Sequence, residues 1–200
     1  MVDDGSSDDT AIVAKRFKTT VLTNKHNLGK TLSVKKGVKA AKNQIIMMLD
    51  ADFLSIDQDS ITKLAHPVLS NQTDWSLAIL GNSLPYMRLF NMDWTTGQRV
   101  IPKELLNDPL IWSKPKIGYG IETLINVSLL KKKKTFCAVY LPNAIYATKV
   151  DKIGKIAGWI GGAKMIYQIS KAIPLYKVLG QFIKMSSLNR KYSRTVNLLQ

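Results

Sequence analysis

Two hundred residues, 46% of them hydrophobic, suffice for one domain with a buried core. The single cysteine, Cys137, excludes an internal disulfide framework and a cysteine metal cluster, and fits a reducing compartment. The formal charge of +15 is unevenly placed: residues 1–60 hold 9 Lys/Arg against 8 Asp/Glu, residues 61–130 hold 6 against 5, and residues 131–200 hold 14 against 1, so a near-neutral part is followed by a basic one suited to an anionic surface.

The N-terminus is acidic and polar, without the pattern of a signal peptide. No run reaches the roughly 20 apolar residues of a spanning helix. Met1-Val2 reads as the end of a strand, followed by the acidic cluster Asp3-Asp4-Gly5-Ser6-Ser7-Asp8-Asp9-Thr10. Asp8 or Asp9 caps a helix through about Phe17. Thr20–Thr23 is a short strand and Asn24–Gly29 a loop. Lys30–Lys42 predicts a helix with Val34, Val38 and Ala41 on one face, and Gly37 inside it implies close packing, since it costs about 1 kcal/mol against Ala. Ile45–Leu49 predicts an apolar strand covered on both faces, ending in the second acidic cluster, Asp50-Ala51-Asp52. Strands alternating with helices predict an α/β fold. In open α/β sheets ligands sit beyond the carboxyl ends of the strands, and two acidic strand ends on one rim suit a divalent cation and a phosphate-bearing ligand.

Farther along, Ser60–Leu69 reads as a helix, Trp75–Leu80 as a strand, Asp93–Arg99 as a polar turn and Pro102–Leu106 as a short helix with an early proline. Gly118-Tyr119-Gly120 leads into a helix from Ile121 to about Leu130, then Lys131–Lys134 and a strand over Phe136–Leu141. From Ile153 to Met185 the pattern is helical, broken by Pro174. Lys164 and Lys171 share a stripe before the proline, and Lys177 and Lys184 share one after it. This basic amphipathic extension, 151–200, matches a helix lying in a membrane interface, with Trp159, Tyr167 and Tyr176 as anchors or as core. His26 and His66 lack partners at metal-ligand spacing and read as structural.

In order and spacing, the two acidic clusters, Asn27-Leu28-Gly29-Lys30, Gly37, Thr96-Gly97-Gln98-Arg99 and Gly118-Tyr119-Gly120-Ile121-Glu122 resemble the family 2 glycosyltransferases. The resemblance covers roughly residues 1–155. It implies a GT-A, Rossmann-like parallel or mixed sheet flanked by helices over 1–150, and an inverting transfer of sugar from a nucleotide-diphosphate donor. A UDP-sugar is favoured, with GDP-mannose as the other option. The implied acceptor is lipid-linked, such as a polyprenyl phosphate, or an envelope glycan.

By the same resemblance Asp50 and Asp52 hold Mg²⁺ or Mn²⁺. Asp3, Asp4, Gly5, Ser6, Asn27, Gly29 and Lys30 join them around the donor nucleotide, with Asp4 facing the base. Glu122 is the general base, and Gly97 and Arg99 meet the acceptor. Such residue types suit the chemistry: a cation offsets charge on a departing diphosphate, a carboxylate takes the acceptor proton, and a guanidinium matches phosphate. The implied location is cytoplasmic, peripheral at the inner membrane face, with no nucleic acid as partner.

The chain departs from the family in three places. The opening strand with its Pro-x-Tyr-Asn-Glu-like segment is missing, the stretch from Leu80 to Asp93 is short, and Tyr146 stands where relatives often carry a histidine. Two rival readings stay open: a truncated, non-catalytic relative, and a nucleic-acid-binding module built on the basic tail. The tail's few arginines and lack of a recognition motif count against the second.

Overall fold

The structure, a computed structural model, describes residues 1–115, 120–147, 167 and 169–197. In chain order its elements are β1 (Val2–Asp3), α1 (Thr10–Arg16), β2 (Leu22–Thr23), α2 (Lys30–Ala40), β3 (Ile45–Met48), β4 (Phe53–Ser55), α3 (Gln58–Leu69), β5 (Trp75–Leu80), α4 (Pro85–Leu89), β6 (Arg99–Pro102), α5 (Ile121–Lys131), β7 (Phe136–Leu141), β8 (Ile145–Tyr146) and α6 (Leu175–Asn197). A 3-10 segment at Lys103–Asn107 stands where a short helix over Pro102–Leu106 was expected, and a second 3-10 segment follows at Pro109–Trp112.

The strands form a four-stranded sheet in the order β3-β6-β5-β7 and two ribbons, β1-β2 and β4-β8. Pairing is parallel in β1-β2 and β5-β7 and antiparallel elsewhere. Side chains alternate across the main sheet, as the two-residue period of a strand requires. Ile46 and Met48 on β3, Ile101 on β6, Trp75 and Leu77 on β5, and Phe136 and Ala138 on β7 face Val34 and Val38 of α2, Ile121, Ile125 and Leu129 of α5, and Met185 of α6. Their neighbours Ile45, Met47, Val100, Ala78, Leu80, Val139 and Leu141 face Leu64 and Val68 of α3, with Phe53 and Tyr146 from β4 and β8. The unbroken apolar run of β5 follows from this placement: all six of its residues are buried. Trp75 stacks on Phe136 with ring centroids 4.7 Å apart.

β3 departs from its expectation. All four of its residues are only half-buried and Leu49 is 42% exposed, because β3 ends the sheet order and pairs only with β6 among the described strands. α2 packs on β1 as well as on the core: a Cβ at Gly37 would meet Val2 Cγ2 at 3.0 Å, which explains a glycine within that helix. The N-terminal elements are lightly packed, and α1 buries none of its residues. Asp8 serves its first turn, accepting from the Thr10 amide at 3.0 Å, while Asp9 holds the N-cap position without a side-chain bond.

α6 runs past the Met185 expected to end the helical pattern and continues to Asn197. One face of it is core: Asn189 accepts from the Ala138 amide at the edge of β7 at 2.9 Å and donates to Asn91 O at 2.7 Å, and Gln181 donates to Thr123 O on α5 at 3.1 Å. The described part of 151–200 therefore shares a core with 1–150. Lys149, Trp159 and Lys164 lie outside the described residues, as do Gly118 and Tyr119.

Candidate active site

The site grows from five short backbone segments. At the end of β1, Asp3 is 3% exposed, and its Oδ1 accepts from the Ser6 hydroxyl at 2.5 Å and the Ser6 amide at 3.2 Å, closing the turn after the strand. Asp4 reaches across to the next loop. Its Oδ1 accepts from Leu28 N and Asn24 Nδ2, and its Oδ2 from Gly29 N, each at 2.8 Å. Burial opposes ionisation of Asp4, but these donors hold its carboxyl below the usual value. Gly5 adopts φ +78°, and a Cβ there would stand 2.7 Å from His26 C and 2.9 Å from Asn27 N. The 24–29 loop thus packs backbone to backbone against the turn, as only glycine permits. In this structure Asp4 staples that loop to β1; both its oxygens are engaged within the chain.

The loop delivers Lys30 to the first turn of α2, and Lys30 is the hub of the site. Its Nζ lies 2.8 Å from Asp50 Oδ1 at the end of β3 and 2.7 Å from Glu122 Oε1 in the first turn of α5. Burial opposes the charge of Lys30, but Glu122 and Asp50 outweigh it and raise its pKa. Glu122, its side chain 9% exposed, is likewise opposed by burial yet held below the usual carboxylate value by Lys30 first and Arg99 second. The N-termini of two eleven-residue helices therefore meet at this point. Helix N-termini favour an anion through their dipoles and first-turn amides.

Asp52 lines the same cleft; its carbonyl accepts from Ala147 N at 2.9 Å, fixing the strip after β8 beside it. Gly97 supports Asp50 from the other side. A Cβ at that position would overlap the Asp50 carboxylate, with Asp50 Cγ at 2.8 Å. Gly97 is thus a seat for a carboxylate.

The acceptor contact expected of Arg99 is corrected by its burial. Arg99 is fully buried, and its guanidinium donates to Thr96 O (2.7 Å), Trp94 O (2.9 Å), Asn126 Oδ1 (2.5 Å) and, more weakly, Glu122 O (3.4 Å). It also lies 5.7 Å from the Trp75 ring centroid. Burial draws its pKa down to about 10, against the pull of Glu122, Asp93 and Asp50. Arg99 pins the 94–97 loop to the start of α5, and so positions Gly97 and Glu122 without touching the cleft.

The cleft holds about 300 Å³, and its lining includes Leu84, Met87 and Ile169 besides the polar groups. A larger hollow, about 530 Å³, lies by Ile79, Pro85 and Tyr140, and among the described residues Arg88 is the one charged group that lines it. Asn27 lies in the stapled loop, exposed, and Ser6 is half of the Asp3 turn.

Two residues escaped the sequence reading, Asp93 in the cleft and Asn82, which is bonded to the cleft residue Tyr146. Asp93 is 7% exposed, accepting from Ser83 Oγ at 3.0 Å and Thr95 Oγ1 at 2.8 Å; burial raises its pKa in spite of these donors. Asn82 grips the Tyr146 backbone from both ends, donating to its carbonyl at 2.8 Å and accepting from its amide at 3.3 Å. Neither stands in a motif; Asp93 in a polar turn before a strand was the one available signal. Tyr146 lines the cleft together with Asp52. No group of three or more His, Cys, Asp or Glu with metal-binding geometry occurs among the described residues.

A paired carboxylate after one strand, a buried carboxylate and the N-termini of two helices thus line one cleft. The family model of glycosyl transferase family 2 matches residues 1–131, and the chain belongs to that family. Its fold is the GT-A glycosyltransferase fold, shared with glucosyl-3-phosphoglycerate synthase from Mycobacterium tuberculosis. One structure of that enzyme, with Mn²⁺, UDP-glucose and phosphoglyceric acid, is 17% identical with a TM-score of 0.60, over 86% of this chain and 66% of that one. A second with the same ligands gives 16% and 0.62, over 86% and 67%. A third, with Mg²⁺ and UDP, gives 17% and 0.61, over 86% and 66%. This chain thus spans about two thirds of the length of those structures. No curated protein matches it.

Proposed function

We propose that this protein transfers a sugar from a nucleotide-diphosphate donor, with inversion, to a lipid-linked or envelope glycan acceptor. The single observation that carries the reading is the convergence of Asp50, Lys30 and Glu122 where the N-termini of α2 and α5 meet. The donor diphosphate would lie there, met by helix amides and by Lys30. The stapled loop, Asp3 to Ser6 and Asn27 to Gly29, would border the nucleoside. UDP is favoured, since the similar structures hold UDP or UDP-glucose.

Asp50 and Asp52 offer oxygen ligands of the kind Mg²⁺ and Mn²⁺ prefer, and the similar structures contain those ions. A cation bound there would offset the charge that develops on the leaving diphosphate. Further ligands would come from donor phosphate and water, as two carboxylates do not fill the shell. In the transfer, the bond from the anomeric carbon to the diphosphate oxygen breaks as the acceptor oxygen bonds to that carbon from the opposite face. Where the acceptor is a glycan hydroxyl its proton passes to Glu122; a phosphate acceptor arrives as an anion and needs no base. Lys30 now pairs with Glu122, and phosphates arriving at the helix termini would draw it away and free the carboxylate as base. Arg99, committed to the loop, leaves any acceptor phosphate to other cations. With the basic tail at an anionic leaflet, the enzyme would work at the cytoplasmic face of a membrane.

The test is calorimetry of UDP and GDP with and without Mn²⁺, on the full chain and on Asp52→Ala. Metal-dependent UDP binding that the variant loses supports the reading. Failure of the folded chain to bind either nucleotide overturns it in favour of a non-catalytic relative.

A further inference from the structure

Helix α6 has three faces. Val178, Gln181, Met185 and Asn189 form the buried one. Tyr176, Leu179 and Ile183 form a second stripe that is 72%, 61% and 60% exposed. Lys177 and Lys184, both exposed, form a third beside it. Beside that stripe, half-buried Phe182 meets Phe90, which caps α4, edge-on with centroids 5.6 Å apart, and Leu89, the last residue of α4, is 79% exposed.

We propose that this ridge, Tyr176, Leu179 and Ile183 with Leu89 and Phe90, docks on an anionic lipid bilayer. Charge selects the occupant. From Leu175 to Asn197 the sequence has no acidic residue, and residues 131–200 hold a single Asp. A second copy laid against the ridge would set lysine against lysine. An anionic leaflet meets the lysines with opposite charge while the apolar stripe enters the headgroup boundary, as an in-plane amphipathic helix does. Among the described residues no helix is long and apolar enough to cross a membrane, so the ridge lies on the surface.

Resting on the transferase reading, the ridge also has a use. α4 has its outer end in the ridge, whereas Leu84, before it, and Met87, within it, line the catalytic cleft. Docking would set the apolar lip of the cleft toward the bilayer, so an acceptor could present its headgroup while its lipid chain stays in the membrane.

The test is co-sedimentation of the full chain with phosphatidylcholine vesicles, with and without phosphatidylglycerol. The expected result is at least tenfold tighter binding to the anionic vesicles. Leu179→Asp with Ile183→Asp weakens that binding by about tenfold for each residue, while circular dichroism and Mn²⁺-dependent UDP binding stay unchanged. Lys177→Ser with Lys184→Ser costs about fivefold per lysine and flattens the salt dependence. Wild-type failure to bind anionic vesicles, or wild-type-like binding by the Asp pair, overturns the proposal. So does a concentration-dependent dimer in sedimentation velocity that Leu179→Asp dissociates. UDP calorimetry needs no vesicles: loss of nucleotide binding with vesicle binding intact would sink the transferase reading and leave the surface standing.

Discussion

The central strands and the acidic rim are held by different physics. β5 has six buried residues in succession, and the side chains of β6 and β7 interleave on either side of it. Each large apolar side chain there contributes about 1.5–3 kcal/mol through lost water contact. The rim has little such burial: α1 buries nothing, β3 is half-exposed, and the loop before α2 hangs on the carboxylate of Asp4. Its order comes from directed hydrogen bonds and from the Asp50–Lys30–Glu122 chain. Stability and chemistry are thus largely separable, and substitutions in each region should move different observables.

The largest expected effect is on chemistry. Glu122→Gln should lower turnover about 10²–10⁴-fold, the range for loss of a general base, while UDP binding stays within a few-fold. Sugar transfer from UDP-glucose to a hydroxyl of a glycan acceptor, which must lose a proton, measures it. If Asp93→Asn gives that loss and Glu122→Gln does not, the base is Asp93. Trp75→Ala is the mirror case. It opens a cavity beside Phe136 and Arg99 and should cost about 3–5 kcal/mol in urea unfolding, with nucleotide affinity intact in the fraction that stays folded.

Smaller effects probe where the two regions touch. Lys30→Met strips the counter-charge from Glu122 and should cost about 1–3 kcal/mol by thermal or urea unfolding. The figure falls short of a fully enclosed pair because the Lys30 side chain keeps 30% of its exposure and is partly screened. Gly97→Ala should weaken Mn²⁺-dependent UDP binding by about tenfold or more, near 1.4 kcal/mol, since the methyl group must displace Asp50 or the loop. A calorimetric titration indistinguishable from wild type would show that Asp50 needs no such seat.

The smallest is a pH effect. The folded pKa values of Asp4 and Glu122 are lowered, so each contributes stability that is present above its unfolded pKa and lost as pH falls through its folded one. Asp93 is raised and acts in the opposite sense: its burial costs stability while it is ionised, and protonation relieves that cost. Glu122→Gln should therefore flatten the loss of stability below about pH 4.5, and Asp93→Asn should steepen it. Unfolding midpoints across the acid limb would reveal equal slopes if neither environment matters.

Much of the fold could be read from the chain because its periods are local. β5 and β7 match their expected bounds, and α2, α3 and α5 match to within a residue or two, since apolar runs and helical spacing record which faces are covered. β6 was missed because it is four residues long and begins with an arginine, and α4 because five residues hold little more than one turn of pattern. The acidic motifs drew attention to Asp3, Asp4, Asp50, Asp52 and Glu122, yet nothing in them foretold that Lys30 would join two of these.

Local order thus lay in the sequence: strand ends carrying carboxylates, helices and apolar strands at their own spacings, a basic amphipathic end. Spacing and residue type are properties of neighbours along the chain, and short-range sterics and solvent preference act on those directly. Only the tertiary structure decided that Arg99 turns inward to brace a loop, that Gly97 is a seat for Asp50, and that α6 puts one face into the core and leaves an apolar ridge outside. Each depends on which distant segment fills the adjoining space. An arginine is buried only where carbonyls converge to receive it, a close approach exists only once two loops meet, and a helix face is core only where a sheet lies under it.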